Sequence, residues 1–64
     1  MKWEFVCREL QLLLDICDEK EAFLVSFNLM KDIPEAHMEK DCGLTDIYLE
    51  WDFNEHNWKI VRIC

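Results

Sequence analysis

A chain of 64 residues with a formal net charge of −7 makes one small domain and, at 52% hydrophobic and 33% charged, belongs with folded globules rather than disordered chains. A domain of this length buries only about 60% of the surface its unfolded chain exposes, so its stability is marginal and a disulfide, a metal or a partner surface commonly supplements the core. Seven Lys and Arg against 14 Asp and Glu disfavour direct nucleic-acid binding, which is built from clustered basic groups, and no apolar run approaches the roughly 20 residues that cross a bilayer.

The opening segment MKWEFVCRELQLLLDIC places Trp3, Val6, Cys7, Leu10, Leu13, Leu14 and Cys17 on one stripe at helical spacing. That match is longer than the strand alternation of Trp3, Phe5 and Cys7, so a helix is predicted. Asp18 and Glu21 stand three apart, the spacing of a capping box, which predicts a turn at Asp18 and a second helix after it. Residues 22–30, AFLVSFNLM, admit two readings. A helix groups Phe23, Phe27 and Met30; a strand groups Phe23, Val25, Phe27 and Leu29, with β-branched and aromatic residues where strands favour them. The capping-box spacing tips the reading to helix, with a strand as the alternative. Asp32 and Glu35 repeat that spacing, Pro34 suits a first helical turn and Gly43 suits a stop, so a short third helix is predicted over 33–41.

Residues 47–64 alternate apolar and polar side chains on both sides of NEHN. This predicts a hairpin in which Phe53 faces Trp58, Trp51 faces Ile60, Leu49 faces Arg62 and Asp52 faces Lys59. Its inner face is Ile47, Leu49, Trp51, Phe53, Trp58 and Ile60. A two-stranded ribbon is marginal alone, so that face must pack on the helices, with Trp51 and Trp58 in the core. The predicted fold is α+β: two or three short helices packed on a C-terminal antiparallel β-hairpin, in a single domain over 1–64.

Cys7, Cys17, Cys42 and Cys64 contain no Cys-x-x-Cys interval, and the only close Cys/His pair is His37 with Cys42. No metal ligand set and no cofactor are therefore predicted. The residues after Met1 lack the apolar core of a signal peptide, so the expected compartment is the cytoplasm, with the thiols reduced and acting as small hydrophobes. His37 and His56 are expected on polar surface. Acid–base catalysis needs groups with shifted pKa values in a water-shielded cleft, which a chain this small seldom builds, so no catalytic residue is predicted.

Residues 32–55 hold eight acids against Lys40 alone, whereas 56–64 hold only Lys59 and Arg62. On the ribbon's outer face Asp46, Tyr48, Glu50 and Asp52 share one strand, with Val61 and Ile63 expected beside them. An apolar centre rimmed by acids suits a basic partner protein, because apolar groups anchor and charges steer. Glu35 and Glu39, on the expected third helix, are the next candidates. The expected function is a non-enzymatic acidic protein-binding module of the inhibitor, antitoxin or immunity type, such as phages and mobile elements direct at host proteins. One alternative is a homo-oligomeric structural or regulatory subunit pairing through the ribbon's outer face and free edge. Another is a nucleic-acid mimic, since Glu50 and Asp52 stand about 6.8 Å apart at ~3.4 Å per strand residue, near the spacing of successive phosphates.

Overall fold

A computed structural model describes the backbone over residues 3–64 and the side chains over residues 7–64. One helix, α1 (Trp3–Lys20), precedes four strands: β1 (Phe23–Asn28), β2 (Glu35–Lys40), β3 (Thr45–Asp52) and β4 (Asn57–Ile63). The strands form one antiparallel sheet in the order β1-β2-β3-β4, so each pairs with its neighbour in sequence. The α+β class is as expected. The helix count is not: the two later helices predicted from sequence are both strands.

In β2, buried Ala36 and Met38 alternate with half-buried Glu35, His37 and Glu39. Glu, Ala, Met and Lys favour helices in isolation. A helix would nevertheless set Ala36 and Met38 about 200° apart around its axis, on opposite sides, whereas a strand points both into the core. Pairing with β1 on one side and β3 on the other then satisfies the backbone of β2. Pro34 opens no helix; it is buried just before β2, and its C=O accepts from the Trp51 N–H at 2.9 Å. Gly43 is not a helix stop but part of the β2–β3 turn, where Asp41, Cys42 and Gly43 have φ of 57°, 57° and 86°.

Segment 22–30 takes its strand alternative with one irregularity. Leu24 faces Met38 and Ser26 faces His37, leaving Val25 as a bulge. The extra residue splits the expected apolar face. Phe23, opposite Glu39, is 76% exposed, whereas Phe27, opposite Ala36, packs against the core.

The helix runs through Asp18 and stops at Glu21, so the Asp18–Glu21 spacing marks an end rather than a start. The Ala22 N–H donates to the Cys17 C=O at 2.9 Å and the Glu21 N–H to the Asp18 C=O at 3.3 Å, with Glu21 left-handed at φ 56°. Glu9, Leu13 and Cys17 form the buried stripe, flanked by Leu12 and Ile16, while Cys7 and Leu14 are exposed. The side chains of Trp3 and Val6, also expected on the stripe, lie outside the described residues. Glu9 is fully buried; its Oε1 accepts from Arg8 Nε at 3.2 Å and its Oε2 has no hydrogen-bond partner among the described residues.

The β3–β4 hairpin pairs Trp51 with Trp58, Glu50 with Lys59 and Leu49 with Ile60. Relative to the predicted register this is a slip of two residues, which keeps the side chains of residues 47–52 and 58–60 on their expected faces but not that of Phe53. The cause is Asp52. Its Oδ1 accepts from the N–H groups of Asn54 at 2.8 Å and Glu55 at 3.1 Å, so the turn closes over 53–56 and Phe53 is expelled from the inner face to 57% exposure. Asp52 consequently faces Asn57 rather than Lys59. Trp51 and Trp58 are buried as expected and meet edge to face, with ring centroids 5.5 Å apart. A second bulge at Val61 then pairs Tyr48 with Arg62 and Ile47 with Ile63.

The core is one cluster, in which Leu13 and Cys17 of α1 pack on Ala36, Met38, Ile47, Leu49, Trp51 and Trp58 of the sheet. No helix among the described residues is long and apolar enough to cross a membrane. Because α1 covers one face of the sheet, no described element covers the other.

Candidate functional site

The uncovered face is set by strand alternation. It presents Glu35, His37 and Glu39 from β2, Asp46, Tyr48, Glu50 and Asp52 from β3, and Lys59 and Arg62 from β4. Asp46, Tyr48, Glu50 and Asp52 therefore share one side as the sequence predicts. Glu35 and Glu39 are not on a helix; they lie on the adjacent strand, directly opposite Glu50 and Asp46. Val61 borders the same face beside Glu50 and Arg62. Ile63 does not join it: the bulge at Val61 sets Ile63 opposite buried Ile47, on the helix side, next to Lys20 and Glu21.

Sequence reasoning missed two residues at the centre of this face. His37 stacks on Tyr48 with ring centroids 4.6 Å apart and planes 4° from parallel, and the Arg62 guanidinium carbon lies 4.3 Å from the Tyr48 ring centroid. One aromatic ring is thus held between an imidazole from β2 and a guanidinium from β4, the second contact being a cation–π interaction. His37 is no solvated surface histidine. Its side chain is 23% exposed and its Nε2 lies 2.9 Å from Asp46 Oδ1. Only the strand register places these groups together, so no sequence spacing would have found them. His56, by contrast, is exposed in the β3–β4 turn.

His37, Tyr48 and Arg62 floor an open hollow of about 750 Å³, flanked by Glu35 and Glu50. Two like-charged pairs, Glu35 with Glu50 and Glu39 with Asp46, stand directly across β2 and β3. Each such pair destabilises a sheet, by roughly 0.2–1 kcal/mol. Lys31 Nζ bonds Glu35 Oε1 at 2.9 Å, and Lys59 lies across from Glu50. Glu39 has no hydrogen-bond or ion-pair partner among the described residues. At the end of β3 the backbone N–H groups of Glu55 and Asn54, with smaller help from Lys59 and His56, hold the Asp52 carboxyl below its ordinary pKa.

Ser26 faces His37 across β1 and β2 but makes no hydrogen bond to it, and the hollow is open to water. Among the described residues, the His37 and Asp46 side chains bond each other and no hydroxyl or thiol. The thiols are unpaired: Cys7, Cys42 and Cys64 are exposed, while Cys17 is buried, its pKa pushed up by burial and by the neighbouring Asp18. Comparison with protein-family models, curated proteins and solved structures finds no match, so the functional reading rests on this geometry.

Proposed function

We propose that the chain is a non-enzymatic binding module that seats a basic surface of another protein on the open face of its sheet, in the manner of a small inhibitor, antitoxin or immunity protein. The observation that carries this reading is the convergence of Glu35, Glu39, Asp46, Glu50 and Asp52, from two adjacent strands, around the stacked Tyr48. Like charges set directly across a ladder cost the free chain stability. A basic partner would turn that cost into attraction. Tyr48 and Val61 supply the apolar anchor, and the acids supply steering.

The test is capture of the partner from cells of the native source, followed by association kinetics with the purified pair. Charge reversal at Glu35 and Glu50, which bond no turn backbone, should leave the fold intact, slow association at least about tenfold and flatten its dependence on salt. Association unchanged by these reversals would sink the reading. Sedimentation over a dilution series checks the competing assignment, since a dimer of this chain dissociated by the same reversals would make it a homo-oligomeric subunit instead.

A further inference from the structure

We propose that His37, Glu39 and Asp46 form a binding site for one divalent first-row transition cation at the β2–β3 turn end of the open face. A ligand atom from each of the three lies within 4.8 Å of the others. Donors held ~2.0–2.2 Å from a zinc-like ion stand about 3–3.5 Å apart, so small rotations of the carboxylate arms close the site. His37 Nε2 and Asp46 Oδ1 are already 2.9 Å apart. The register supplies the convergence: Glu39 and Asp46 are direct cross-strand partners, and His37 lies two residues before Glu39 on the same side of β2. Proximity in sequence would pair His37 with Cys42, but Cys42 sits exposed in the turn, outside this set.

Two features separate the triad from an ordinary acidic surface. The His37 ring is clamped flat on Tyr48, which is itself covered by Arg62, and this fixes Nε2 toward the carboxylates instead of leaving it free to turn to water. Glu39 faces Asp46 with no cation partner among the described residues, so the site holds uncompensated negative charge at the point where a ligating nitrogen is aimed. A divalent ion would bond both carboxylates and take the place of the proton that Nε2 shares with Asp46. One imidazole nitrogen with carboxylate oxygens suits Zn²⁺, Mn²⁺ or Co²⁺, whereas Ca²⁺ and Mg²⁺ take oxygen donors alone. Water would complete the coordination from the open side. This site stands whether or not the same face binds a protein.

Manganese(II) is the probe, because it takes imidazole and carboxylate and has little affinity for the exposed thiols of Cys7, Cys42 and Cys64. Added to the chelator-treated, reduced chain, Mn²⁺ should broaden the amide NMR signals of residues 37–39 and 45–47 well before those near Asp52 and Glu55, and saturate at one ion per chain. His37→Gln and Glu39→Gln should each weaken binding at least about tenfold. Glu39→Gln also removes a like-charged neighbour of Asp46, so its metal-free melting temperature should equal or exceed the parent's, and lost binding there cannot be unfolding. Broadening spread evenly over the acidic residues, no broadening at all, or binding unaltered by both substitutions overturns the site.

Discussion

Asp52 ends β3, closes the turn and fixes the register of the hairpin with one carboxylate oxygen. The N–H groups of Glu55 and Asn54 that it accepts also favour its ionised form, drawing its pKa below the ordinary value of 3.8. The sign follows from proton counting: the unfolded chain binds this proton more readily. The carboxylate's contribution to stability is therefore present above the ordinary value and is lost as pH falls through the lowered, folded one. Asp52→Asn retains an oxygen acceptor for both N–H groups but cannot titrate. Thermal melts below about pH 5 should show a shallower acid loss in Asp52→Asn than in the parent; identical slopes would detach the charge from the turn. The sequence suggested a cross-strand ion pair with Lys59 because strand alternation was visible and the side chain's bond to its own turn was not. Glu9 is the opposite case, an acid that the helical stripe gave no reason to bury, where an apolar side chain of similar size would avoid the cost of desolvation.

Elements differ in how much of them the sequence displays. Helix α1 was legible because its apolar stripe spans several turns. Strand β2 was not, because it has two inward apolar side chains and is otherwise built from residues that favour helices. In β1 the bulge at Val25 breaks the alternation that identifies a strand, sending Phe23 and Phe27 to opposite faces. An even slip in register leaves Ile47, Leu49, Trp51, Trp58 and Ile60 facing inward and costs the inner face only Phe53, which the turn takes; the bulge at Val61 makes the count odd and so sends Ile63 to the other side. The acidic half of the candidate site was therefore readable from charge and alternation, while the contributions of His37 and Arg62 waited on pairing. At the end of α1, Glu21 occupies a left-handed position that suits glycine, and its negative charge meets the negative pole of the helix. Glu21→Gly should stabilise the chain by about 1 kcal/mol, raising the melting temperature by roughly 4–8 °C. A lower melting temperature would mean that the Glu21 side chain supports the junction with β1.

At the scale of the whole molecule, one helix, one sheet face and Leu29 from the β1–β2 connection supply the buried core among the described residues, and the Trp51–Trp58 pair is its bulkiest contact. A chain of this length has a total stability on the order of 3–10 kcal/mol, and truncating a buried tryptophan costs about 3–5 kcal/mol. Trp51→Ala should therefore melt far below the parent or be largely unfolded at room temperature, as read by circular dichroism. Parent-like melting would show that the pair adds little to the core.

The two valine bulges bear on how copies of the molecule meet. Among the described residues both outer strands lack a strand partner along one side, and β1 of one copy is a different surface from β4 of the next, so β1-to-β4 addition is heterologous and, unless its rotation closes a ring, runs on as a filament. Each bare edge carries its irregularity within the strand, at Val25 in β1 and Val61 in β4. The extra residue bends the strand and breaks the even row of donors and acceptors that a recruited strand would need. Polymerisation through the backbone is thereby discouraged at both ends, and what remains for recognition is the side-chain surface between them.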